Sequence, residues 1–136
     1  MKKFLLIAMM AFATLTSCQK DESFNQNDIV GEWKATKIEA TFDDGRVWST
    51  SDTDELRDQL EGLEWVTVTE HHFQPMYYAQ EYGQQVLIPY TISDNYIVFT
   101  GAESNATYYL QSVTKNEMVI KYTSSWTSLI YYTKVK

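Results

Sequence analysis

From Ile29 onward, apolar and polar residues alternate at period two. Between Ile29 and Phe42, Ile38, Ala40 and Phe42 fall on one face and Lys37, Glu39 and Thr41 on the other. That pattern predicts a long first strand in a sheet with one wet side. Asp43-Asp44-Gly45-Arg46 predicts a tight turn, because Asp-Gly accepts the positive φ values such turns require, and Val47 to Thr50 returns as a short strand. A strand is expected from Glu64 to Phe73, with Trp65, Thr67 and Thr69 opposite Val66 and Val68. Met76 to Glu81 and Gln85 to Ile92 are expected as strands flanking a turn at Tyr82-Gly83-Gln84, with Val86, Ile88, Tyr90 and Ile92 sharing a face. Ser93-Asp94-Asn95 turns into Tyr96 to Thr100, and Ala106 to Thr114, Met118 to Ser124 and Trp126 to Lys136 complete the series. Eight or nine strands joined by short turns form an antiparallel meander. A meander of this length removes its exposed edges by closing on itself, so the expected fold is all-β, an up-and-down barrel of about eight strands.

One stretch breaks the period. In Ser51 to Gly62, Asp52 is placed to cap a helix, Glu55 occupies the capping-box position, and Leu56, Leu60 and Leu63 line up at i, i+4 and i+7. Gly62 supplies a stop. One short helix near residues 52–62 is therefore expected, either as a lid on a barrel mouth or as a connector packed on the outside or end of the sheet.

The N-terminus differs in kind. Lys2 and Lys3 precede an apolar run from Phe4 to Ala13, ten residues long and too short for a hydrocarbon core that needs about 20. This is the layout of an export signal, here residues 1–17. Residues 18–28 form a polar tether, and residues 29–136 a single domain of a size that supports a modest core. Loss of Lys2 and Lys3 lowers the basic count from 11 to 9 against 18 acids, a formal charge of −9. Phosphate backbones and anionic head groups are repelled by such a surface, which excludes nucleic acid as a partner. No cysteine follows Cys18, so the domain relies on packing and strand pairing rather than disulfides.

Two resemblances sharpen this outline. Leu15-Thr16-Ser17-Cys18 resembles the lipobox of bacterial lipoproteins, which implies that Cys18 carries a diacylglyceryl group and becomes the mature N-terminus. Gln19-Lys20-Asp21-Glu22 resembles the charged signal that sends lipoproteins of the Bacteroidota to the outer cell surface; a plain polar spacer is the alternative. The implied localisation is the outer membrane, lipid-anchored and cell-surface exposed, with the membrane held through the lipid.

Gly31-Glu32-Trp33 at the head of the first strand is similar to the Gly-x-Trp motif of lipocalins, whose tryptophan plugs the closed end of an eight-stranded barrel. Asp94 to Phe99, Leu110 to Ile120 and Ile130 to Val135 resemble the small lipocalin-like lipoproteins of the Bacteroidota. By resemblance, Gly31 and Trp33 are structural and the barrel binds a small hydrophobic or amphipathic ligand. The chain departs from the pattern in having no Thr-Asp-Tyr motif and no arginine after Arg57 to stack on Trp33, leaving Lys134 or Lys136 for that place.

Catalytic signatures are absent. His71 and His72 project to opposite faces of a strand, and Glu70 with His72 offers two ligands where zinc needs three or four, so no metal is expected. The acid clusters at Asp43-Asp44, Asp52-Asp54-Glu55 and Asp58-Glu61 fall in turns or on the helix, where capping and polarity account for them. There is no Gly-x-Ser-x-Gly and no phosphate loop, so neither enzyme activity nor a cofactor is expected. The candidates with physical content are aromatic: Trp65, Tyr90, Tyr108 and Tyr122 sit on strands, and alternate residues line barrel interiors. They either bound a ligand cavity or fill the core by packing. In the second case the chain is a non-catalytic accessory that meets a surface protein partner through its exterior.

Overall fold

The computed structural model describes residues 26–101 and 106–136; Cys18, the apolar run before it and the charged segment after it lie outside them. Nine strands are found among the described residues: β1 (Gly31–Thr41), β2 (Val47–Thr50), β3 (Trp65–Val68), β4 (His72–Pro75), β5 (Ile88–Ser93), β6 (Tyr96–Phe99), β7 (Thr107–Val113), β8 (Glu117–Thr123) and β9 (Thr127–Lys134). β1 closes the sheet. One of its edges pairs with β9, from Trp33 opposite Lys134 to Thr41 opposite Thr127. The other edge is shared, its first residues pairing with β3 and its last with β2. The ring β1-β3-β4-β5-β6-β7-β8-β9 is thus a closed, eight-stranded antiparallel barrel of lipocalin-like form, with β2 folded alongside β1.

Alternation decides which side chains enter the barrel. On β1, Trp33, Ile38 and Ala40 are buried while Lys34, Thr36 and Thr41 are exposed. Two bulges keep the apolar set inward where strict parity would turn it out: the register shifts between Ala35 and Lys37 on β1 and between Leu110 and Ser112 on β7. Val66, Val68, Leu110, Met118, Ile120 and Ile130 complete a core in which none of these residues exceeds 3% exposure.

The expected helix forms as α1 (Thr53–Leu60), with the Glu55 N–H donating to Asp52 Oδ1 at 3.0 Å. The reciprocal half of the capping box is relayed. Glu55 accepts the Thr50 hydroxyl at 2.7 Å, and the Asp52 N–H donates to Thr50 Oγ1 at 3.1 Å. Glu61 and Gly62 end the helix with φ of 51° and 90°. Leu56, 2% exposed, anchors α1 in the core.

Two expectations are corrected. Residues 64–73 do not form one strand: β3 and β4 are a hairpin, turned where Thr69 Oγ1 accepts the His71 and His72 N–H groups at 3.4 and 3.1 Å. Met76 to Glu81 is not a strand but most of a second helix, α2 (Met76–Tyr82), so the barrel carries two short helices rather than one. Pro75 stands before it in extended conformation, its body has no β-branched residue, and Gly83 at φ 66° stops it rather than turning a hairpin.

The end of the barrel at Trp33 is closed by a 3-10 turn, Gln26–Ile29, which takes up the last residues expected in the tether. The Trp33 Nε1–H donates to the Ile29 carbonyl at 2.7 Å, Lys134 Nζ donates to the Asp28 carbonyl at 3.1 Å, and the same ammonium lies 4.9 Å from the Trp33 ring centroid. Lys134 therefore occupies the place left open by the missing arginine. Gly31 makes this possible. At φ +149°, a Cβ there would stand 2.8 Å from the Lys136 carbonyl oxygen and 2.9 Å from Lys134 Cε. Gly31→Ala is expected to cost about 1–3 kcal/mol, read as a lower urea midpoint with unchanged slope. An unchanged midpoint would refute this close approach.

Candidate functional site

The barrel's two ends are unequal. At the Trp33 end, Trp33, Val68, Val113 and Met118 are all buried. At the opposite end, where β3 begins and β4 runs into α2, Ile88, Phe99, Tyr108 and Tyr122 also point inward but keep partial solvent access. Sequence-predicted Tyr108 and Tyr122 face each other across the β7–β8 pair, ring centroids 5.1 Å apart. From them a series of edge-on rings descends along the wall: Tyr108 to Phe99 at 5.1 Å, Phe99 to Phe73 at 5.1 Å, and Phe73 to Tyr90 at 4.9 Å. Edge-to-face geometry places ring hydrogens on neighbouring π faces and holds the wall rigid. Tyr90 is the buried foot of this series, its hydroxyl donating to the Thr69 carbonyl at 2.7 Å. Burial pushes the Tyr90 and Tyr108 hydroxyls above the usual tyrosine range, with Glu70 adding to the first and Tyr122 and Glu61 to the second.

A carboxylate stands inside this end, one that sequence reasoning missed. Glu64 continues the inward set of Val66 and Val68, and only 7% of it is exposed. Its backbone carbonyl accepts the Ala35 N–H at 2.6 Å, and Ala35 pairs with Tyr132, so Glu64, at the entry to β3, lies in one row with Ala35 of β1 and Tyr132 of β9. Glu64 Oε2 is buried with no hydrogen-bond partner. Burial raises the carboxyl above its ordinary range, against the pull of Arg57, the Trp65 N–H and Lys34. Fully buried Tyr132 does not satisfy it: that hydroxyl donates to the Leu63 carbonyl at 3.1 Å. Glu64 was detectable, since an acid two residues before buried Val66 and four before buried Val68 breaks the apolar parity that leads into β3.

The two helices flank the same end and are tied together. The Tyr78 hydroxyl donates to the Glu61 carbonyl at 3.2 Å, and the Arg57 guanidinium lies 4.8 Å from the Tyr77 ring centroid while pairing with Asp54 at 3.3 Å. A Cβ on Gly62 would meet the Tyr78 ring at 2.5 Å, so the glycine lets Tyr78 lie against the end of α1. The helix α1 therefore sits beside α2 at this end of the barrel.

Trp65 does not belong to the lining. Parity turns it outward, where its Nε1–H donates to Glu32 Oε2 at 2.7 Å and Lys34 Nζ lies 4.4 Å from its ring centroid. Trp33, in contrast, is fully buried at its end of the barrel, and Cys18 lies outside the described residues. His71 and His72 stand at the β3–β4 corner, and no group of three or more His, Cys, Asp or Glu residues able to hold a metal exists among the described residues. Two grooves of about 390 and 270 Å³ lie on the barrel exterior, the larger along Glu39, Thr41, Lys121 and Leu129, the smaller beside Lys37, Val119 and Tyr131. Comparison with protein-family models, with curated proteins and with solved structures finds no match to this chain.

Proposed function

We propose that this chain is a lipid-anchored, lipocalin-like binding protein of the outer membrane, displayed on the cell surface, that takes a small hydrophobic or amphipathic ligand at the helix-flanked mouth. The observation that carries this reading is the inequality of the two ends: inward-facing Tyr108, Tyr122 and Phe99 retain solvent access, while Trp33 and Met118 are sealed. Half-buried tyrosines present both a flat apolar surface and a polar tip, which suits an amphipathic molecule. Anchoring rests on the lipobox-like Leu15 to Cys18, and surface display on Gln19 to Glu22. The action is binding rather than catalysis, with the lipid on Cys18 as the membrane contact.

Native mass spectrometry on the domain purified from cells of the source type tests this reading. A stoichiometric added mass that leaves on denaturation is expected, with Tyr108→Ala weakening retention roughly tenfold or more and Tyr108→Phe keeping most of it. A bare mass, together with no saturable binding of any amphiphile in solution, would sink the proposal.

A second reading is an accessory subunit with a filled barrel that meets a protein partner. It is favoured by an outward apolar strip on β6 and β7, where Tyr96 and Tyr109 rings pack 5.0 Å apart beside Val98, 49% exposed. Partner capture abolished by Tyr96→Ser, with no small ligand found, would favour it.

A further inference from the structure

We infer that the ligand's polar end is a protonated amine, received by Glu64 and by the rings of Tyr108 and Tyr132. This rests on the binding role proposed above and names the chemistry of that site. A carboxylate within a barrel of apolar side chains is retained at a cost unless something meets it. Here its Oε2 is closed to solvent and no group of the described residues donates to it.

The cations that act on it, Arg57 and Lys34, do so without a hydrogen bond to its Oε2. Arg57 pairs with Asp54 at 3.3 Å and rests on Tyr77, and Lys34 projects outward over Trp65 at 4.4 Å. The Tyr132 hydroxyl, in the same row as Glu64, is bound to the Leu63 carbonyl at 3.1 Å. The site thus lacks a hydrogen-bonded cation on Oε2 among the described residues. Aromatic walls add to the preference, since ring faces attract an ammonium and leave a carboxylate unrewarded. The full chain carries a formal charge of −7, so its overall field also draws cations and repels anions. A fatty acid would set its head group against Glu64, and an alcohol would satisfy only a hydrogen bond. A primary amine on an apolar chain meets the carboxylate, the rings and the apolar mouth together.

Calorimetric titration of the full chain carrying Cys18→Ser with decylamine, decanol and decanoate at neutral pH tests this. Decylamine is expected to bind about tenfold or more tighter than decanol, with decanoate weakest, as a charge-assisted hydrogen bond requires. Glu64→Gln is expected to erase the amine preference, bringing decylamine and decanol to within about twofold of each other. Should the variant fail to fold, the order of the three ligands on the unsubstituted mouth decides by itself. Equal affinity for amine and alcohol, or a preference that survives Glu64→Gln, overturns the inference while the binding role stands; a buried water on Glu64 would be the reading left. If none of the three binds saturably, the binding role itself fails.

Discussion

Trp33→Ala is expected to destabilise the domain by about 3–5 kcal/mol, the range for truncating a large buried aromatic side chain. Trp33 has 0% exposure and is the largest fully buried side chain among the described residues. Its loss leaves a void at the sealed end, where the neighbouring strands cannot collapse without breaking the β1–β3 and β1–β9 ladders that pair on either side of it. Two further interactions go with the ring. The Ile29 carbonyl loses the indole N–H donor at 2.7 Å, and Lys134 loses the aromatic face beneath it at 4.9 Å. The Gln26–Ile29 turn is fastened to the barrel by that donor and by Lys134 on the Asp28 carbonyl, so it is expected to detach. Domains of this size have total stabilities of roughly 5–15 kcal/mol, so the substitution removes a large share. Trp33→Phe separates the contributions: it restores part of the volume but leaves the Ile29 carbonyl without its donor, for an intermediate loss of about 1–3 kcal/mol. Urea denaturation followed by circular dichroism measures both. A loss below about 1 kcal/mol for Trp33→Ala would mean that this end closes without its plug.

The contrast between Trp33 and Trp65 marks how far the sequence carries. Both stand on strands of the same barrel, and both looked equally able to enter it by composition. Parity separated them: Val66 and Val68 claim the inner face of β3, which turns Trp65 out onto Lys34 and Glu32. The same parity placed Tyr90, Tyr108 and Tyr122 inward, and Ile38 and Ala40 with them. Turns with strong local chemistry were equally legible, as at Asp94-Asn95, where both residues adopt the positive φ values of 51° and 67° that a tight hairpin needs.

What escaped has a physical common cause. The β3–β4 corner is built on the Thr69 hydroxyl rather than on glycine, asparagine or proline, so no turn signal interrupts Trp65 to Pro75. Helix α2 is rich in tyrosine, a residue frequent in strands, and its terminating Gly83 has the same conformation that a hairpin turn would use. These two differences cancel in the strand count, which is why a barrel is reached despite them. Glu64 escaped because a carboxylate is not expected on an inward position; only the packed barrel leaves its Oε2 buried with no donor among the described residues.

Cys18→Ser is expected to move the domain entirely from the membrane fraction to the soluble one. Each methylene of an acyl chain buried in a bilayer contributes about 0.8 kcal/mol, and two chains anchor stably where one binds only marginally. Removing the sulfur removes every chain that the lipobox-like segment would attach. Nothing among the described residues replaces them. Among the described residues no helix is long and apolar enough to cross a membrane. The barrel exterior carries Lys34, Glu39 and Lys121 where a membrane-spanning barrel would present an apolar band. The formal charge of the chain after residue 17, with 9 basic against 18 acidic side chains, repels anionic head groups instead of docking on them. Fractionation with an alkaline carbonate wash therefore gives a two-way result. Full release of the serine variant, with the unsubstituted chain retained in the pellet, identifies the lipid as the anchor, whereas firm retention of the variant would show that some other part of the molecule holds the membrane and would overturn the lipoprotein assignment.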